Sequence, residues 1–201
     1  MVAPYISDEV KQRPVLSAPG LDVFDHPSID ALPNELEKFS TLPSSELAEE
    51  LDAAAEWLGV HVEEVILAAL GRTLGRTRGE GTVTVDVTGG NRWLSHPVTL
   101  ICAADQPMGP TEMLQGAHTA LAGAPGRVSG QAELLLNVTT TDLADEPAGR
   151  ALELRVLLAD GLLHLDWWYD TARFDSYSVE EMAEQFPLAL IEITSDAAAP
   201  L

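Results

Sequence analysis

Lysine is nearly missing from this chain. Lys11 and Lys38 are the only two, and 11 basic residues in all stand against 32 acidic ones, for a formal net charge of -21. A surplus of that size repels DNA, RNA and anionic lipid, which argues against nucleic-acid and membrane-surface binding. It fits either adaptation to salt or a solubilising surface. Cysteine is equally scarce: Cys102 stands alone, so an internal disulfide framework is excluded and no Cys-x-x-Cys pair can hold a metal. Gly-x-Gly-x-x-Gly and the phosphate-binding Gly-Lys-Ser/Thr motif are absent too, and no nucleotide, metal or other cofactor is expected. The longest strongly apolar run, about Val65–Leu70, is far short of the roughly 20 residues that cross a bilayer. Met1–Val10 has neither the basic start nor the apolar stretch of a leader, and the expectation is a soluble cytoplasmic protein.

What is present is enough chain for one sizeable core, 201 residues, folded by packing alone. Residues 1–35 carry Pro14, Pro19, Pro27 and Pro33, too many for a regular helix or interior strand, and read as a proline-rich arm or linker. Residues 36–195 read as one lobe and residues 196–201 as a flexible tail. Within the lobe a short strand is expected at Leu36–Leu42. A helix follows from the Ser44–Ser45 pair to Leu58, with Leu47, Leu51, Ala54 and Leu58 on one side. A second helix, about Val62–Arg76, has a broad apolar stripe in which Gly71 and Gly75, four apart, permit close backbone approach. Val83, Val85 and Val87 alternate with polar residues in a strand that Gly89–Gly90 ends. Further elements are a strand at Val98–Ala103, a helix at Thr111–Leu121 and a strand at Glu133–Thr140.

The last fifty or so residues are the most regular. Leu152, Leu154, Val156 and Leu158 alternate with Glu153 and Arg155, one apolar face at a period of two. Asp160–Gly161 fits the two positive-φ positions of a type I′ turn, and the return strand Leu162–Tyr169 is apolar on both faces, as an interior strand is. Ser178 and Glu181 have the spacing of a helix-capping box, and Pro187 inside the following helical pattern predicts a kink or break near Gln185–Phe186. The class is α/β, a mixed sheet flanked by helices.

These residues carry a resemblance. Leu51–Thr77, the Thr82–Val87 strand with Gly90-Asn91-Arg92, Glu133–Asn137, and Asp160–Tyr169 with Phe174-Asp175 and Ser178-Val179-Glu180 resemble, in order and spacing, the C-terminal half of condensation and epimerization domains of nonribosomal peptide synthetases. The resemblance covers roughly Leu36 to Ile193 and implies a single chloramphenicol-acetyltransferase-like lobe. In that family a His-His-x-x-x-Asp motif does the chemistry from the N-terminal lobe, and substrates ride on carrier proteins between two lobes. The chain departs from the family after Asn91-Arg92, where Trp93-Leu94-Ser95 passes almost directly to His96-Pro97-Val98, which implies trimmed channel contacts.

The resemblance therefore implies a noncatalytic interaction module whose partner is a synthetase module, a carrier protein or a tailoring enzyme. The alternative is one half of a split condensation or epimerization enzyme, with the histidine-bearing lobe on another polypeptide. Asp25-His26-Pro27-Ser28-Ile29-Asp30 keeps one histidine and the aspartate of the motif's spacing. Pro27 suits a surface turn, so His26 and Asp30 are the catalytic candidates but are read as coincidence. The candidates for partner contact are Trp93, Trp168, Tyr169 and Phe174. Trp167 and Trp168, adjacent on a strand, point to opposite faces, so one is expected in the core. Pairing of two copies through the face that a second lobe covers in the family is a further expectation. His164 and Asp166 are too few and wrongly spaced for a metal site.

Overall fold

The computed structural model describes residues 19–27, 35–89, 92–123, 132–141 and 146–201, with backbone alone for 92–96. The elements run β1 (Leu36–Ser40), α1 (Ser45–Leu58), α2 (Val62–Arg78), β2 (Gly81–Gly89), β3 (Arg92–Cys102), α3 (Pro110–Ala122), β4 (Leu134–Thr139), β5 (Leu152–Ala159), β6 (Leu162–Asp170) and α4 (Ser176–Asp196). The strands form one six-stranded sheet in the order β1-β6-β5-β4-β2-β3. Strand β4 is parallel to both β2 and β5, and the remaining pairs are antiparallel. The mixed, helix-flanked sheet read from the sequence is the one found.

Alternation sorts the sheet into two unlike faces. Val83, Val85, Leu134, Leu136, Leu152, Leu154, Leu165 and Trp167 all point into one apolar core shared with the helices. Residues between them, such as Asp86, Glu153, Arg155, Asp166 and Trp168, take the opposite face. The β5–β6 register sets Leu154 against Trp167 and Ala159 against Leu162, and the turn between them holds Asp160 at φ 54° and Gly161 at φ 72°. Both angles are the left-handed values that the Asp-Gly pair predicts.

Helix α1 begins at Ser44, whose Oγ accepts the Leu47 amide at 3.2 Å, and ends at Gly59 in the left-handed region, φ 67°. Helix α2 is the buried centre of the layer, with Val65 through Gly75 all inside. A Cβ at Gly71 would collide with the Ile101 carbonyl oxygen and one at Gly75 with the Ala103 backbone, so the two glycines let α2 lie directly on the end of β3. Between them Arg72, 1% exposed, donates to the carbonyls of Ala103 at 2.9 Å and Met108 at 2.7 Å. It also pairs with Glu192 of α4 at 3.2 Å.

Helix α4 departs from expectation at its start, and of the kink or break expected near Gln185–Phe186 the break is absent. It begins at Ser176 after an extended Asp175, and no side chain caps it. Ser178 is therefore already inside the first turn and buried, too far along to form the capping box. Pro187 lies inside the single helix Ser176–Asp196, which does not break there. The proline lacks the amide that would bond the Ala183 carbonyl.

The glycine contacts yield a test. Gly75→Ala is expected to destabilise the fold by about 1–3 kcal/mol, measured by urea unfolding, despite alanine's higher helix propensity. An unchanged or raised midpoint would show that α2 and β3 are not held at backbone contact.

Candidate functional site: the open face of the sheet

The face turned away from the helices is polar, and its middle is closed. Glu153, 1% exposed, accepts Arg155 Nε at 2.6 Å and the Ala148 amide at 2.8 Å. Arg155 also donates to the Glu146 carbonyl at 2.7 Å. Next to this pair Arg150 bridges to Asp86 at 2.8 Å and donates to the Ala132 carbonyl at 2.7 Å. Buried ion pairs of this kind persist because further hydrogen bonds satisfy their polar atoms. The backbone at Glu146 and Ala148 is thus bonded to side chains of β5, and the Arg150 side chain reaches Asp86 of β2.

Toward β1 the face opens into a cleft of about 630 Å³ whose lining includes Lys38, Ser40, Arg155, His164, Asp166 and Trp168. The antiparallel registers place Trp168 between Lys38 and Glu153, and Asp166 between Ser40 and Arg155. The Trp168 ring has Lys38 Nζ 5.4 Å and the Arg155 guanidinium 5.6 Å from its centroid, within the range of cation–π attraction. Ser40 Oγ donates to Asp166 at 2.6 Å, and Lys38 Nζ is 3.6 Å from the same carboxylate. An indole flanked by two cations, with a hydroxyl and a carboxylate beside it, can recognise a flat or charged group. The Ser40 hydroxyl points its proton at the Asp166 carboxylate, and no imidazole is hydrogen-bonded to it among the described residues.

Of the three expected contact residues whose side chains are described, Trp168 alone is placed on this face. Two expectations are corrected. Tyr169 follows Trp168 on the strand and so turns inward, 4% exposed, where its hydroxyl donates to Glu37 at 2.8 Å. Burial first, and the Glu37 carboxylate second, push its phenol up to about 12. Phe174 is 1% exposed because it sits in the turn before α4, packed on Phe24 at 5.4 Å. The side chain of Trp93 lies outside the described residues. Trp167 is fully buried, edge-on to Phe186 at 5.9 Å.

The candidate catalytic pair is not seen as a pair, because Asp30 lies outside the described residues. The carboxylate beside His26 is Asp175, 3.0 Å from Nε2, and the His26 amide bonds the Arg173 carbonyl at 3.2 Å. His26 thus ties residues 19–27 to the start of α4. Asp25 reinforces the tie by accepting Arg78 Nη1 at 2.6 Å and the Asp175 amide at 2.9 Å. The other end of this segment pairs with β2 through Leu21 and Thr82. His118 is likewise paired, with Glu64 at 3.0 Å. Burial alone pushes the Cys102 thiol up to about 12, the opposite of what a reactive thiolate needs. No group of three or more metal-ligating side chains occurs among the described residues, nor does any helix of the described residues have the length and apolarity to cross a membrane.

The resulting architecture is that of a single chloramphenicol-acetyltransferase-like lobe, as in condensation and epimerization domains. The epimerization domain from the third module of tyrocidine synthetase B superposes with a TM-score of 0.66 at 11% identity, over 92% of this chain and 52% of that one. The EpoB cyclization-docking bidomain from Sorangium cellulosum gives 0.66 at 16% identity, over 90% of this chain and 46% of the other. In sequence, the chain is 31% identical to a subunit of the phenolphthiocerol/phthiocerol polyketide synthase of Mycobacterium tuberculosis, over 85% of this chain and 16% of that protein. It therefore spans about half of the solved domains and a small part of the polyketide synthase relative. No protein-family model matches the chain.

Asp25 supplies a pH-dependent test. Burial acts to raise its pKa, but the Asp175 amide, Arg78 and Ser178 together outweigh burial and hold the carboxyl below 3.8. A depressed carboxylate stabilises the fold above its unfolded pKa, and that contribution is lost as pH falls through the folded value. Asp25→Asn is expected to lower stability by about 1.5–3 kcal/mol at neutral pH, with the deficit shrinking below the unfolded value of 3.8. Paired denaturation curves at neutral and acid pH measure this, and a deficit independent of pH would contradict it.

Proposed function

We propose that this lobe is a noncatalytic interaction module of assembly-line biosynthesis, binding a nonribosomal peptide synthetase module, a carrier protein or a tailoring enzyme. The observation that carries the reading is the open sheet face. Its side chains form a recognition surface around Trp168, whereas His26 and His118, each beside a carboxylate, tie together pieces of the fold. The polyketide synthase relative widens the set of partners to polyketide assembly lines, whose intermediates are likewise carried as acyl groups. As domain limits we propose residues 1–35 as an arm, of which 19–27 are docked on the lobe, 36–195 as the lobe, and 196–201 as a tail.

A second reading is supported by the coverage of about half of each solved domain. In it the chain completes the acceptor side of a condensation or epimerization channel whose histidine-bearing lobe is a separate polypeptide or segment. One experiment separates the two. Purified chain is mixed with a carrier protein bearing an acyl or peptidyl group, with and without a polypeptide that carries His-His-x-x-x-Asp. Carrier binding without transfer in either mixture is the outcome expected of an interaction module, and transfer only in the complete mixture identifies a split enzyme. Transfer by the chain alone would overturn both readings. Should the complete mixture be active, His26→Ala is expected to leave its rate within a few-fold, because that ring is occupied by Asp175. A loss of about 10²–10⁴-fold would make His26 the base.

A further inference from the structure

The basic side chains of the described residues are mostly turned inward. Among the described residues, Arg72, Arg76, Arg78, Arg150, Arg155 and Arg173 are 1–27% exposed, and each pairs with a carboxylate. Lys38 is more exposed and more loosely paired. Its side chain is 38% exposed, and its ion pair with Asp166, at 3.6 Å, is the longest of the set, over an acceptor that Ser40 also occupies. This ammonium, more accessible than any of those guanidinium groups, sits on β1, the end strand of the sheet.

Among the described residues, nothing pairs with the outer side of the β1 backbone. Glu35 accepts from the Thr171 amide and Thr41 donates to Leu165, so the odd-numbered residues of the strand face β6. By the alternation of an antiparallel ladder, the amides and carbonyls of Leu36, Lys38 and Ser40 point away from the sheet. Such an edge is a template for another strand. Leu42, 91% exposed, lies two residues past Ser40 and offers an apolar contact beyond the strand end.

We propose that the outer edge of β1 takes an extended acidic segment of a partner protein as an added strand, with a carboxylate of that segment on Lys38. The inference rests on reading the lobe as an interaction module and names the chemistry of what it binds. Backbone pairing selects an extended segment over a helix, and the exposed Lys38 ammonium selects a carboxylate on a surface that otherwise repels acids. Trp168 lies beneath Lys38 and holds the ammonium where that carboxylate arrives. A second copy of this chain fits less well, because the fullest two-fold pairing of β1 with itself sets Lys38 against Lys38, and like charges directly opposite are destabilising.

The test uses the full chain and short synthetic peptides of alternating valine and threonine, one with a central glutamate, a twin with a central lysine, and a third N-methylated along the backbone of the glutamate sequence. Amide resonances of the isotope-labelled protein report binding. Saturable shifts at Leu36, Lys38 and Ser40 are expected with the glutamate peptide, at least about tenfold weaker binding with its lysine twin, and none with the N-methylated one. Lys38→Glu is expected to reverse the preference between the first two. Equal binding of both charged peptides, shifts confined to other strands, or no binding at millimolar peptide would overturn the proposal. So would concentration-dependent shifts of β1 without peptide, which would assign the edge to a second copy. Because no carrier or synthetase takes part, failure here leaves the broader reading to be judged by the mixing experiment, and failure of that experiment leaves these peptide results standing.

Discussion

Backbone contact between α2 and the end of β3 is the constraint on which the rest of the lobe depends. Gly71 and Gly75 permit it, and Arg72 secures it by bonding the Ala103 and Met108 carbonyls from within the interior. With α2 held there, its remaining sides are covered by α1, α3 and α4, and Glu192 of α4 becomes the counter-ion of Arg72. A cation this deeply placed is tolerable only because two carbonyls and a carboxylate answer it. The same arrangement commits the helices to one side of the sheet, and the other side carries the polar residues.

That division explains which parts of the fold were legible in the sequence. Period-two alternation in Leu152–Leu158 and the Asp160–Gly161 turn are local signals, and the hairpin they predict is the one present. Gly71 and Gly75 announced close packing by their spacing alone. The start of α4 was misread because Ser178 and Glu181 have the right spacing for a cap, while the helix begins earlier, straight after an extended Asp175. Asp175 is a residue type that also starts helices, and in the fold His26 lies beside its side chain and Asp25 accepts its amide.

The candidate site was legible only in part. Trp168 could be singled out because two adjacent tryptophans on a strand must diverge. Tyr169 and Phe174 were aromatic neighbours in sequence, yet alternation and the turn before α4 send both into the core. Lys38 and Arg155 carried no signal of their own. They meet at Trp168 because β1 and β5 flank β6, and that adjacency joins segments separated by most of the chain.

The buried pair Glu153–Arg155 has a consequence for how β5 finds its place. Slipping β5 by one residue against its neighbours would turn both charged side chains into the apolar interior and set Leu154 and Val156 on the polar face. Wrong alignments therefore carry a large electrostatic penalty as well as a hydrophobic one, and the two penalties rise together. The two charges thus add to the register preference that the one-sided apolar pattern of β5 already sets.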